Sequence, residues 1–146
     1  MPHLKPMLEA LYSSTRVPFK LIIVESESTD GTKEFLEKFL INAKNVSVYH
    51  TKKEGLTKAI NFGINKAGKK DVYLTQDDVI HFRLYGRDWL LEMNDASKGS
   101  KVGLVTGLYG GGISGPEYMD GLHWAGTWNT YIPRKAINKL KYYEEI

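Results

Sequence analysis

Two adjacent aspartates, Asp77 and Asp78, close the apolar run in KKDVYLTQDDVIHF (residues 69–82). Carboxylates set side by side repel each other unless a cation or hydrogen-bond donors offset the charge. Another acidic residue, Glu25, follows a second apolar run, LIIV (21–24), with Ser26 next to it. Hard divalent ions such as Mg2+ and Mn2+ take carboxylate oxygens and keep room for phosphate oxygens. The chemistry open to this group is therefore capture of a nucleoside diphosphate through a metal bridge. The plain alternative for the pair is a capped turn on the surface, and the residues by themselves leave both open.

The elements that must position these carboxylates follow from periodicity. Leu4, Met7, Leu8, Leu11 and Tyr12 recur at helical spacing, and LIIV, short and β-branched, predicts a buried strand. STDGT makes a turn, and Asp30 or Thr32 can cap the helix carrying Phe35, Leu36, Phe39 and Leu40 on one stripe. VSVY (46–49) alternates as a strand. Residues 55–67 place Leu56, Ile60, Ile64 and Ala67 on one side of a helix, and DVYLT (71–75) supplies the next strand. A helix near 88–97, a strand at VGLVTGLY (102–109), a glycine-rich loop, a strand near 126–132 and a short helix near 134–141 complete an α/β layered pattern. In open parallel α/β sheets ligands bind beyond the carboxyl ends of the strands, which is where Glu25, Asp77 and Asp78 fall.

Composition narrows the classes. A chain of 146 residues with this share of apolar positions predicts one globular domain over residues 1–146. It contains no cysteine, so any metal must use oxygen or imidazole ligands. The 20 basic and 17 acidic residues are scattered, without the basic block or aromatic-basic stripe of a nucleic-acid binder. No apolar run approaches the ~20 residues of a membrane span, and the first residues lack the features of a signal peptide. The default location is the cytoplasm, free or held peripherally at a membrane.

At this point the residues resemble a family. LIIVESESTDGTKEFL is similar to the segment of family 2 glycosyltransferases, of GT-A fold, that usually reads V-V-D-N-G-S-T-D-G-T. EGLTKAINFGINKAGKKDVYLTQDDV resembles its continuation, G-x-x-x-A-x-N-x-G-I and then a strand into D-x-D. GTWNTYIPRKAINKLKYYEE is similar to the later stretch running through a strand, Arg-Glu and a helix to F-D-E. The resemblance implies an α/β, GT-A-like (Rossmann-like) open, mostly parallel sheet with helices on both faces. It implies inverting transfer of a sugar from a nucleoside-diphosphate sugar donor to a glycan or other hydroxyl acceptor, with Mn2+ or Mg2+ as cofactor. Glu25 matches the aspartate that contacts the base, and Asp30 the second aspartate of S-T-D-G-T; their structural alternatives are a strand-end carboxylate and a helix cap. Gly55, Ala59, Asn61 and Gly63 match the helix packed beneath the sugar nucleotide. Gln76 stands at the first position of D-x-D, Asp77 in the middle and Asp78 last, the usual metal ligand. Gln76 can still hydrogen-bond a ribose hydroxyl, while loss of one anion weakens the metal site and leaves Asp77 to support Asp78. Glu144 and Glu145 match the carboxylates of F-D-E, one of them the base that takes the acceptor's proton, with Asp120 a weaker choice.

Three further readings complete the sequence. GGGISG (110–115) satisfies G-x-G-x-x-G, but Pro116 and a loop follow instead of a long helix, so it does not predict a dinucleotide site. Tyr118, His123, Trp124 and Trp128 could stack on sugar rings or pack in the core. Family members open on a strand central to the sheet, whereas this sequence is entered at the following helix, MPHLKPMLEAL. A fragment, a rearranged sheet or a second copy filling the gap would each account for that. The open edges of LIIV and VYLT predict a homodimer or direct pairing of these two strands. A non-catalytic sugar-nucleotide or glycan binding domain is the alternative function.

Overall fold

The computed structural model describes residues 3–81, 86–106 and 129–139. In chain order the elements are α1 (Leu4–Ser14), β1 (Leu21–Ser26), α2 (Thr32–Asn42), β2 (Val46–Thr51), α3 (Leu56–Lys66), β3 (Val72–Thr75), α4 (Trp89–Ser97), β4 (Val105–Thr106), β5 (Asn129–Ile132) and α5 (Arg134–Ile137). The α/β alternation expected from periodicity is present. Of the predicted strand at 102–109, a ladder forms only at Val105–Thr106, and residues 107–109 lie outside the described ones. No described helix is long and apolar enough to cross a membrane.

Among the described residues the strands form two groups. β1 and β2 pair in parallel, Leu21 opposite Val46 through Ser26 opposite Thr51. β3, β5 and β4 form an antiparallel set in the order β3-β5-β4. Period-two alternation sorts β1 onto two helical layers. Leu21 and Ile23, with Val48 of β2, pack on α1 (Leu4, Met7, Leu8, Leu11) and on Leu36 of α2. On the opposite face α3 passes beneath the sheet. A methyl group on Gly63 would meet Cγ2 of Val24 at 3.5 Å, so helix and strand touch at ordinary contact distance without demanding glycine. The other side of α3 joins the second core, where Ile60, Ile64 and Ala67 meet Val72, Leu74 and Ile132.

β1 and β3 do not pair with each other, which overturns the expectation of direct pairing. Both border a cavity of about 670 Å3 lined by Ile22, Val24, Val72, Leu74, Ala59 and Ile60 among others. The strands stay apart because elements packed on both bridge the gap. α3 contacts β1 through Gly63 and β3 through its core side. On the far side the Asp88 carboxylate caps α4 by accepting from Leu90 N (3.0 Å) and Leu91 N (3.2 Å), and also takes the amides of Arg16 and Val17 in the segment entering β1. Burial pushes the Asp88 carboxyl up, but these four donors outweigh it and hold it below the usual carboxylate value.

Candidate functional site

The carboxyl end of β1 is closed by its own hydrogen bonds. Glu25 is 4% exposed. Its Oε1 accepts the Ser28 amide, and its Oε2 lies 2.7 Å from Nδ1 of His50 on β2. Burial raises the carboxyl's pKa, but the His50 and Ser28 bonds more than offset this and leave it lowered. The carboxylate is then ionised at neutral pH, and His50 Nδ1 must carry the donated proton. Ser26 and Thr51 share a hydroxyl contact of 3.0 Å one register position on. Beyond the strand the chain turns through Glu27 in the left-handed region (φ 54°), an uncommon conformation for a residue with a side chain. Glu27 Oε2 accepts the Lys53 amide at 3.1 Å, tying this loop to the exit of β2.

Asp30 is exposed and serves the start of α2: its Oδ1 accepts from Thr32 N (3.2 Å) and Thr32 Oγ1 (2.6 Å). Gly31, at φ 85°, is the N-cap itself, so the cap expected at Asp30 or Thr32 is built by the two together around a glycine. The Asp30 carboxylate therefore satisfies the first amide of the helix from one residue further out.

The carboxyl end of β3 differs. Val79 N donates to Gln76 O at 3.3 Å, which closes a turn with Asp77 and Asp78 at its two central positions. Both aspartates are exposed and Gln76 is half-buried. Among the described residues neither aspartate makes a hydrogen bond or an ion pair, so the carboxylates do not cap their own turn. Oxygen donors without internal partners suit a hard divalent cation that keeps further positions for phosphate oxygens and water, and this donor set fits Mg2+ or Mn2+. The described residues do not bring three His, Asp or Glu side chains together around one point. Glu25 and the aspartates thus each follow their own strand, β1 and β3, and Glu25 is bonded inward.

Beneath the turn lies a buried polar cluster that periodicity did not disclose. His81, 7% exposed, stacks on Trp89 (centroids 4.6 Å apart), and its Nε2 is 2.9 Å from the Tyr73 hydroxyl. Tyr73 donates to Asn129 Oδ1 at 2.7 Å, so Nε2 of His81 must be the donor to Tyr73. Nδ1 is then a bare lone pair, buried without a partner among the described residues. Burial depresses the imidazole pKa to about 4, so His81 is neutral at pH 7. This cluster fastens the chain leaving the aspartates to β3, β5 and α4.

Lys58 forms an exposed ion pair with Glu54 at 3.6 Å, in keeping with a solvated lysine. Glu144, Glu145, Asp120, Tyr118, His123, Trp124 and Trp128, with the GGGISG stretch, lie outside the described residues. Sequence reasoning missed His50 and Glu27. His50 was within reach, since Glu25 and His50 are each the fifth residue of a six-residue strand and face each other in parallel register. Glu27 carries no comparable signal, because its role depends on a backbone conformation.

Compared with known proteins, the chain finds no match among curated sequences. The family model for Glycosyl transferase family 2 matches residues 2–145, taking in both strand ends, the helix beneath them and the aspartate turn. A match running almost end to end establishes that the chain belongs to glycosyl transferase family 2.

Proposed function

We propose that the chain transfers a sugar from a nucleoside-diphosphate donor to a hydroxyl acceptor, with inversion and with a divalent ion at the aspartate turn. The observation that carries this reading is the pair Asp77 and Asp78, exposed at the carboxyl end of β3 and without partners among the described residues. In this reading Asp78 holds the ion, Asp77 supports it and Gln76 takes a ribose hydroxyl. A divalent ion bound there would neutralise the charge developing on the leaving diphosphate. Asp30 borders the nucleotide while capping α2. Glu25 acts on the base chiefly by fixing the loop after β1, since both its oxygens already serve Ser28 and His50. One of Glu144 and Glu145 takes the proton of the attacking hydroxyl, which balances inversion in a single displacement.

The alternative, a domain that binds sugar nucleotides without turning them over, draws on Gln76 in place of the first carboxylate. One experiment separates the two. UDP-, GDP- and dTDP-sugars are screened with Mn2+ for thermal stabilisation, and the stabilising donors are assayed for released diphosphate. Stabilisation with release supports the transferase, stabilisation without release the binding domain, and no stabilisation by any donor contradicts both.

A further inference from the structure

The ends of β1 and β2 carry a carboxylate and an imidazole that stand at different depths. Glu25 and His50 face each other in parallel register, and the Glu25 side chain is 1% exposed while that of His50 is 47% exposed. Glu25 Oε1 accepts the Ser28 amide, and Oε2 takes the Nδ1 proton of His50 at 2.7 Å. In a neutral imidazole a proton on one nitrogen leaves the other as an acceptor, so Nε2 presents a lone pair. Glu25 therefore fixes the tautomer that His50 shows at the surface, and the pair carries an acceptor from the interior outward.

Parallel α/β strands present their ligands beyond their carboxyl ends, which is where His50 stands. The surface around it is tied down. Ser26 and Thr51 share their hydroxyl contact of 3.0 Å one register position on, and Glu27 accepts the Lys53 amide at 3.1 Å. An acceptor oriented before a ligand arrives lets a single hydrogen bond discriminate, because a wrong partner leaves polar atoms unpaired. Nucleotide bases differ at the atom that would meet it. N3 of uracil and thymine and N1 of guanine carry a hydrogen, whereas N3 of cytosine and N1 of adenine carry lone pairs. A lone pair on His50 Nε2 attracts the first group and repels the second.

We propose that His50, and not Glu25, reads the base of the nucleotide, its Nε2 accepting the ring N–H of uracil, thymine or guanine. This role rests on the nucleoside-diphosphate reading above and adds to it the class of donor, a sugar carried on a base with a ring N–H. Glu25 acts as a positioning residue, since its oxygens already serve Ser28 and His50.

The test is titration calorimetry with Mn2+ at about pH 8, where an ordinary imidazole is neutral. UDP, dTDP, GDP, CDP and ADP are compared, with UDP and dTDP methylated at N3 and GDP methylated at N1. The parent is expected to bind at least one N–H nucleotide about tenfold more tightly than CDP and ADP, and to lose about tenfold when that nucleotide is methylated. His50→Asn keeps a donor for Glu25 and drops the outward nitrogen, so most of the methylation penalty should vanish. In Glu25→Gln the Ser28 amide holds the new carbonyl oxygen, which turns the NH2 group towards Nδ1 and moves the imidazole proton to Nε2. Preference should then swing towards CDP or ADP. A merely structural pair would weaken all nucleotides together, so unchanged ratios in either variant would overturn the proposal. So would a parent chain that binds CDP or ADP most tightly, or that binds the methylated and unmethylated nucleotides alike. In those outcomes nucleotide binding itself stands, whereas binding of no nucleotide would overturn both the role of His50 and the reading beneath it. The nucleotide panel acts on the parent chain, which keeps the test valid if a variant fails to fold.

Discussion

The carboxyl ends of β1 and β3 use their carboxylates in opposite ways. At β1, Glu25 is buried and each oxygen has a partner, Ser28 and His50. At β3, Asp77 and Asp78 project from the centre of a turn without partners among the described residues. The difference teaches that an acidic residue at the carboxyl end of a strand is not by position alone a ligand. A carboxylate whose oxygens already accept internal hydrogen bonds is part of the scaffold, and one that stands free of them is available for binding.

Breaking the β1 end should cost the most. Glu25→Ala removes a buried acceptor and strands the Ser28 amide, and a loss of roughly 3–4 kcal/mol in urea unfolding is expected. A loss below about 1 kcal/mol would place Glu25 with the aspartates instead. Next in size is the pH dependence of the cluster under β3. His81 has its pKa depressed to about 4 from 6.5, so between these values the unfolded chain binds the proton and the folded chain does not. Stability should therefore rise from pH 4 to pH 6.5 by up to on the order of 3 kcal/mol, and His81→Gln should flatten that window. Glu25 and Asp88, with lowered values, contribute in the same sense but over a more acidic window. Their stabilisation is present above the ordinary carboxylate range and lost as pH falls through their folded values, so the acid limb below pH 4 should survive in His81→Gln.

Asp88→Ala comes third, at about 2 kcal/mol, for a helix cap that also holds the Arg16 and Val17 amides. The smallest effect on stability belongs to Asp77→Asn and Asp78→Asn, each expected within about 0.5 kcal/mol of the parent because neither side chain supports the fold.

Most of the framework is legible in the sequence because it rests on local periodicity. LIIV and VYLT read as strands, the Leu56, Ile60, Ile64 and Ala67 stripe as a helix, and Asp77 and Asp78 as strand-end carboxylates, all without long-range information. What escapes is non-local. Asp88 sits in a stretch that reads only as a helix start, and its bonds to Arg16 and Val17 span more than seventy residues. His81 reads as one polar residue in an apolar run, and its cluster of Tyr73, Trp89 and, through Tyr73, Asn129 comes from three different elements.

The central claim is that the β3 aspartates are left for a ligand while the β1 glutamate is not. Titration calorimetry of UDP and GDP with and without Mn2+ tests it most directly, on the parent chain and on Asp78→Asn. The parent should bind at least one of these nucleotides much more tightly with Mn2+, and Asp78→Asn should lose that metal-dependent part while unfolding like the parent. Equal affinity with and without Mn2+, or a metal dependence that Asp78→Asn leaves unchanged, would contradict the account.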